Sequence, residues 1–475
     1  MPKYKSETIK NASFIQLSDM IVQELPQMAI NNNDLYMYNG KYYEELTDHE
    51  IGQNVFNFFL EYAPSVWSPS KSKNVIEGIK YHSLIKRVKE FDNYNDLINV
   101  NNGIYDFKNK KLLDHSHTYN FTTLVDVDYD TKETDAKFFL ETLDGIFRNA
   151  DGTQDKDTIG NILKIGGYLV YPQNKINKLF LFYGEGSNGK SIIMDHVYKM
   201  FFDKKFISAL SLNVLSSETS PSRKQLLTSR VNFATEQRSG EAIESDEIKK
   251  IISGEDISIR RMYQDTITFR PKCKIMVALN KMFKMKDTSY GIKRRLFLIN
   301  FPNQFKIKQE YNREKNPEKR RIFLANNEDE VIDNIKKEKT AIFNLFIGAL
   351  DVLRNDNWAF TETDNAEKIL KEYNEESDPT GEWLKESYEM TEDETEPIML
   401  KDLYKDYCLW YDENNHNRNY MVTNRTLAKR VRDLFRIESF PFSGRDPYNV
   451  NIVRSGTAFT LKLKNNIPEC IKTLN

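Results

Sequence analysis

Residues Gly184-Glu185-Gly186-Ser187-Asn188-Gly189-Lys190-Ser191 follow the pattern G-x-x-x-x-G-K-[ST], whose chemistry is the cradling of a polyphosphate. Gly186 and Gly189 let the main chain approach anionic oxygens closely. The loop N–H groups and the start of the following helix donate to those oxygens. Lys190 is placed to reach the β- and γ-phosphates, and the Ser191 hydroxyl is a ligand for Mg2+. Such a loop needs a strand before it and a helix after it. Lys178-Leu-Phe-Leu-Phe-Tyr183 is a continuous apolar run, as a buried parallel strand requires. Ser191 to Phe201 carries apolar residues at helical spacing.

A phosphate loop identifies a nucleotide and not a task, so the segments that follow matter more. Arg230-Val-Asn-Phe-Ala-Thr-Glu236 reads as a short strand ending in a carboxylate, which can hold Mg2+ through water and polarise an attacking water. A strand-end glutamate taken alone is usually ordinary. Lys274-Ile-Met-Val-Ala-Leu-Asn280 is another buried strand, ending in an amide that could orient the lytic water. Lys293-Arg294-Arg295 precedes the strand Leu296–Phe301. An arginine there could reach a neighbouring subunit's nucleotide and stabilise transition-state charge.

The rest of the chain must position these groups. Its 475 residues are too many for one ordinary core, so two or three domains are expected. The net charge of −2 makes any nucleic-acid-binding surface a local feature. Three scattered cysteines, Cys273, Cys408 and Cys470, argue against a disulfide framework and against a Cys-rich zinc site. No signal core or membrane span is visible, so a cytoplasmic protein with no membrane association is expected. Residues 1–150 read as a mixed, mainly helical domain with hairpins turning at Asn39-Gly40 and at Lys108–Lys110. Residues 151–355 alternate strands and helices as a three-layer α/β domain. They end in a helix over 329–354 with Ile332, Ile335, Ile342, Leu345, Phe346 and Leu350 on one side. Residues 356–397 are acidic and read as a linker around short helices, and 398–475 as a small separate domain.

The order of loop, strand-end Glu, strand-end Asn and paired Arg within 184–301 resembles the superfamily 3 helicases. It is most similar to the phage- and plasmid-type primase–helicases and their poxviral relatives. The stretches that carry the resemblance are Gly184–Ser191, Arg230–Glu236, Ile248–Asp256, Ile259–Pro271, Ala278–Asn280 and Gly291–Phe301. Upstream, Tyr38–Asp48, Asn102–Phe107 and Asp126–Asp130 look like the domain that precedes the motor in that family. The resemblance implies an AAA+-like ATPase core with a collar-type N-terminal domain, and a hexameric ring that binds ATP and Mg2+ and travels 3′-to-5′ on DNA in phage, plasmid or island replication. By position, Lys190 and Ser191 would bind phosphate and Mg2+, and Glu236 would be the Walker B acid and second metal contact. Asn280 would be the first sensor, and Arg295 the finger acting in trans. The family often carries a second acid after the strand-end Glu. Here Gln237 and Arg238 follow, so Glu236 serves alone or with Glu241 or Glu244.

DNA contacts are expected at two places. Asp256–Pro271 reads as two strands around a turn near Gln264-Asp265, and the resemblance makes it the hairpin that enters the central channel. Arg260 and Arg261 would neutralise phosphates and Tyr263 would stack on a base or sugar. Thr423–Arg436 reads as a helix with an N-cap at Thr423 and an apolar stripe of Leu427, Val431, Leu434 and Phe435. Arg425, Lys429 and Arg432 lie largely off that stripe. With the helix before it and the strands after it, the segment suggests a winged helix with a basic helix in the major groove. Two other readings stay open. One is an ATP-controlled origin-binding initiator without processive unwinding. The other is a helicase–primase, because Leu124-Val-Asp-Val-Asp-Tyr-Asp130 resembles a paired-acid strand of archaeal-type primases.

Overall fold

Five parallel strands carry the phosphate loop: β1 (Leu179–Tyr183), β2 (Ile207–Ser208), β3 (Val231–Thr235), β4 (Lys274–Leu279) and β5 (Leu296–Asn300). Their spatial order is β5-β1-β4-β3-β2. The computed structural model describes residues 3–235, 243–260, 266–283, 290–313, 322–324, 326–377, 379–391, 397–414, 421–446 and 449–464. Strands buried on both faces read as unbroken apolar runs, as β1 and β5 do up to their last residue and β4 does after Lys274, while β3 carries a buried Asn232 bonded to Ser208 and Leu210. Phe180, Phe182, Phe233, Met276, Phe297 and Ile299 face one core, while the alternating Leu181, Val277 and Leu298 are buried as well.

That core is closed by α1 (Lys137–Phe147), α2 (Lys156–Val170) and, beyond α3 (Asp246–Ser253), by α4 (Lys339–Asn355). Helix α2 crosses α4 at Gly166 and Gly167. A Cβ at Gly167 would lie 2.9 Å from Leu350 Cβ, and one at Gly166 would enter the Phe346 ring. The helix expected over 329–354 is two helices, Glu328–Lys337 and α4, parted at Glu338. The Glu338 carboxylate accepts the Phe138 N–H at 2.9 Å and the Phe139 N–H at 2.8 Å. It thus serves donors that α1 cannot satisfy within itself. Behind the phosphate loop, Ile192–Tyr198 winds as a π-helix and Lys199–Phe201 as a 3-10 turn.

The N-terminal segment holds a second core. Helices Phe14–Glu24, Asp48–Tyr62 and Pro69–Lys80 bury Leu17, Ile21, Val55, Phe59, Val75 and Ile79. Both hairpins turn where the sequence places them. Tyr38 pairs with Tyr43 around Gly40, at φ +99°, and Asp106 pairs with Lys111 around Lys108–Lys110. The first hairpin belongs to a four-stranded sheet whose edge strand, Lys86–Arg87, runs parallel to Met28–Asn31. The three-stranded sheet Leu97–Val100, Gly103–Asp106 and Lys111–Leu113 contributes Ile98, Val100 and Ile104 to the core shared with α2 and α4.

A buried ion pair joins these two parts. Asp92 lies 2.9 Å from the guanidinium of Arg230, at the root of β3. Its carboxylate also accepts from the Thr122 N–H and from the Thr122 and Thr123 hydroxyls. The Asp92 main-chain carbonyl takes bonds from Gln173 and Lys272. A buried carboxylate persists when its lone pairs are satisfied in this way.

Residues divide into two compact units, Met1–Ala366 and Glu367–Asn475. In the second unit, helix Pro379–Ser387, within the stretch read as linker, inserts Trp383 and Leu384 into a core with Leu403, Tyr407, Leu427, Val431 and Phe459. Helix Leu400–Glu413 precedes helix Asn424–Phe435, and an antiparallel pair, Phe440–Asp446 and Asn449–Phe459, follows. The Thr423 side chain accepts from the Thr426 N–H at 3.3 Å, the N-cap contact read from the sequence.

Candidate functional site

The phosphate loop leaves the C-terminal end of β1 and is tied to its neighbours by main-chain bonds. Gly184 N–H donates to Leu279 O at 3.1 Å and Phe305 N–H donates to Ser187 O at 2.7 Å. Ser187 and Gly189 take positive φ, +57° and +90°. At Gly189 this conformation is combined with crowding, because a Cβ would lie 2.7 Å from Ile146 Cδ1. At Gly186 a Cβ would meet nothing within 4 Å, so the main chain there is open to a ligand.

Lys190 is 8% exposed. Its ammonium donates to the Gly184 carbonyl and, at 3.1 Å, to Asn280 Oδ1. The lysine of the loop and the strand-end amide of β4, ninety residues apart, are therefore in direct contact. Burial pushes the Lys190 pKa down to about 8, since desolvation disfavours the charged form. Asn188 is buried, and its Nδ2 has no partner among the described residues. An unspent buried donor beside a cradle of open main chain fits an anionic ligand. Ser191, exposed at the first helical turn, fits as a ligand for the accompanying Mg2+.

The other residues singled out by sequence fall as follows. Glu236 lies outside the described residues; β3 ends before it at Thr235, paired with Ala278. Arg295 stands before β5, where Leu179 N–H donates to Arg295 O at 2.7 Å. It is thus at the end of the sheet opposite the phosphate loop. Five residues of strand separate the two, roughly 16 Å, too far for Arg295 to touch phosphate in its own protomer. Its guanidinium donates to Gly291 O at 2.6 Å and to Ser253 Oγ at 3.0 Å. Burial, with the Arg294 charge beside it, holds its pKa below the ordinary value. Arg294 is exposed. The partner Ser253 ends α3, just before the hairpin, and nothing local in the sequence marks the pair.

The hairpin is present as Ile257–Arg260 paired antiparallel with Thr266–Phe269. Arg261, Tyr263 and the Arg260 side chain lie outside the described residues. In the second unit Arg425 and Lys429 are exposed on helix Asn424–Phe435, while Arg432 donates to Ser439 Oγ at 3.3 Å. The acids of the 124–130 segment are not gathered. Asp126 accepts from Asn101 at 2.9 Å and pairs with Lys339 at 2.9 Å. Burial opposes its ionisation, and these two contacts still hold its pKa below the ordinary value. Among the described residues no group of three or more His, Cys, Asp or Glu is arranged to hold a metal ion. Cys273 is buried, with its thiol pushed up to about 12 by desolvation. No helix among the described residues is long and apolar enough to cross a membrane.

Comparison with known proteins places relatives on both halves of the first unit. Residues 30–148 match the family described as D5 N terminal like, and residues 182–295 match a family of unknown function (DUF5906). The candidate helicase 121R of Invertebrate iridescent virus 3 is 20% identical over 375 residues, 72% of this chain and 37% of that protein. The candidate helicase L207/L206 of Acanthamoeba polyphaga mimivirus is 23% identical over 224 residues, 46% of this chain and 23% of that protein. The chain thus spans well under half the length of these relatives. Among solved structures, the apo NrS-1 C-terminal region superposes with a TM-score of 0.48 at 10% identity, over 94% of this chain and 99% of that one. A second form of that region gives 0.46 at 11% identity, over 95% and 100%. The family match and the helicase-named relatives agree with the motifs: the chain is like the phage and viral primase–helicases.

Proposed function

We propose that the protein is an ATP-dependent DNA helicase of superfamily 3, with an AAA+-like core and a C-terminal winged helix, acting in replication of a phage, plasmid or mobile island. The observation that carries this reading is the contact between Lys190 and Asn280 at the ends of adjacent parallel strands. It supports reading Lys190 as the cation for the phosphates and Asn280 as the amide that orients water, since the two are in contact. Lys190 and the loop N–H groups hold the triphosphate, and Asn280 positions the attacking water. Glu236 accepts that water's proton. Ser191 and Glu236 would hold Mg2+, which would supply neutralisation of phosphate charge. Arg295 stabilises transition-state charge on a neighbouring subunit's nucleotide, which requires a ring, expected to be hexameric. Hydrolysis would move the hairpins along one strand, 3′-to-5′.

The test is unwinding of forked duplexes with opposite overhangs, run beside particle sizing with and without ATP. DNA-stimulated hydrolysis and strand separation are expected, and both should vanish in Lys190→Ala. Hydrolysis unchanged in that variant would refute the site. The exposed Arg425 and Lys429 favour a second reading, an origin-binding initiator whose ATPase controls assembly. Sequence-specific footprinting without unwinding would select it. The engagement of Asp126 with Lys339 and Asn101 speaks against the primase alternative.

A further inference from the structure

The N-terminal sheet ends in an edge strand at which two cations have no counter-ion among the described residues. Lys86–Arg87 pairs only with Met28–Asn31, leaving its outer side open. Arg87 and Lys89 are exposed, with Val88 buried between them. Neither makes an ion pair among the described residues, whereas Glu90 next in sequence is taken by Lys272 at 3.0 Å. Asn31 Nδ2 donates to Val88 O at 2.8 Å and to Lys89 O at 3.1 Å, which holds the chain in the bend that follows the strand. Beside it Asn32 and Asn33 turn with φ of +46° and +69°.

These groups surround a concavity of about 320 Å³ lined by Ile30, Asn31, Asn32, Asn33, Arg87, Val88 and Lys89. Its lining holds two cations, three amides and no carboxylate. It shares Asn31, Asn32 and Lys89 with a larger cleft of about 980 Å³, which hairpin residues Ile267–Phe269 and Arg270 also line. That cleft is not itself an anion path: Glu44, Glu90 and Asp256 line it, each paired with a cation. Exposed lysines commonly protect an edge strand from pairing. Protection alone does not call for a carboxylate-free concavity with three amides beside it.

We propose that Arg87 and Lys89, with the Asn32 and Asn33 amides, form a contact for the backbone of a single-stranded polynucleotide outside the hairpin. Both cations line one concavity, which lets neighbouring phosphates of one strand meet them together. The contact reads backbone and not sequence. It rests on the nucleic-acid reading of the motor and adds a second point of grip in the N-terminal domain.

The test measures binding of a fluorescent oligo-dT to the full chain over a range of salt concentration. Each phosphate contact contributes about 0.7 to the slope of log affinity against log salt for single strands. Arg87→Ala/Lys89→Ala should lower that slope by about 1.4. Lys86→Ala is the control, because Lys86 faces away and donates to Asn120 Oδ1 at 2.8 Å. An unchanged slope in the double variant, or an equal fall in the Lys86 control, overturns the proposal. Inorganic phosphate displacing the oligonucleotide at equal phosphate concentration would also overturn it, as that would mark a site for isolated anions. If the wild-type chain binds no single strand at all, the failure lies with the proposed function instead.

Discussion

The depressed pKa of Lys190 makes nucleotide affinity depend on pH in a defined direction. With a pKa of about 8 in the free site, the side chain is largely an ammonium at pH 7.5 and almost wholly an amine at pH 9.5. Phosphate oxygens recruit the ammonium, so binding above pH 8 must take up a proton. From the two protonated fractions, affinity should fall roughly 25-fold between pH 7.5 and 9.5, about 2 kcal/mol. Calorimetric titration with an ATP analogue, in buffers of different ionisation heat, should show close to one proton taken up per nucleotide at pH 9.5. Lys190→Arg keeps its charge throughout this range, and its affinity, whatever its size, should be flat. Equal pH dependence in wild type and Lys190→Arg would refute the reasoning. The stability of the nucleotide-free protein follows the opposite course. The folded-state pKa lies below the ordinary 10.5, so the unfolded chain binds more protons between pH 8 and 10.5 and stability rises across that window. The full cost of burying the charge, about 3 kcal/mol, is present below pH 8. That figure is already net of the bonds to Gly184 and Asn280, and Lys190→Met gives back about 1–3 kcal/mol for each acceptor it strands. Lys190→Met should therefore stay within about 2 kcal/mol of wild type in urea unfolding while losing nucleotide binding.

Arg295→Ala should leave nucleotide affinity within a few-fold and lower turnover about a thousand-fold or more. Mixtures with wild type that hydrolyse in linear proportion to the wild-type fraction would exclude action between subunits. Asp92→Ala strands the buried Arg230 guanidinium and should cost about 3–5 kcal/mol, read as a lower urea midpoint. Asp92→Ala/Arg230→Met should recover part of this; a double variant no better than the single one would remove the ion pair as the cause. Arg425→Ala/Lys429→Ala should weaken duplex binding and lower its salt slope by about 1.8, for two phosphate contacts on duplex DNA. An unchanged slope would leave that helix face merely solvated.

What the sequence made legible was local. The phosphate loop is read from eight consecutive residues, and the hairpin at Asn39-Gly40 from one dipeptide whose left-handed turn few residues adopt. Four of the five strands are read from their apolar runs, which burial on both faces demands, while the two-residue strand Ile207–Ser208 is too short to carry such a signal. What stayed hidden depends on distant segments. The apolar stripe over 329–354 continues through Glu338, yet the helix breaks there because that carboxylate serves N–H groups two hundred residues upstream. Arg295 carried the right chemistry, but its bond to Ser253 joins residues 42 apart and has no local signature. The acidic bias of 356–397 masked Trp383, whose place in a core is decided by Tyr407 and Tyr388 around it.

The Asp92 junction bears on how force would travel. One carboxylate holds the root of the strand that leads toward Glu236 and, through Thr122 and Thr123, the segment beside the amino-terminal sheet. Gln173 and Lys272 clamp the same residue's backbone. A joint so thoroughly bonded transmits displacement without bending. In a motor of the proposed kind the amino-terminal lobe would ride with the phosphate-loop sheet as passive load, and any stroke would fall to thinner parts, such as the two-stranded arm 257–269 or a boundary between neighbouring copies.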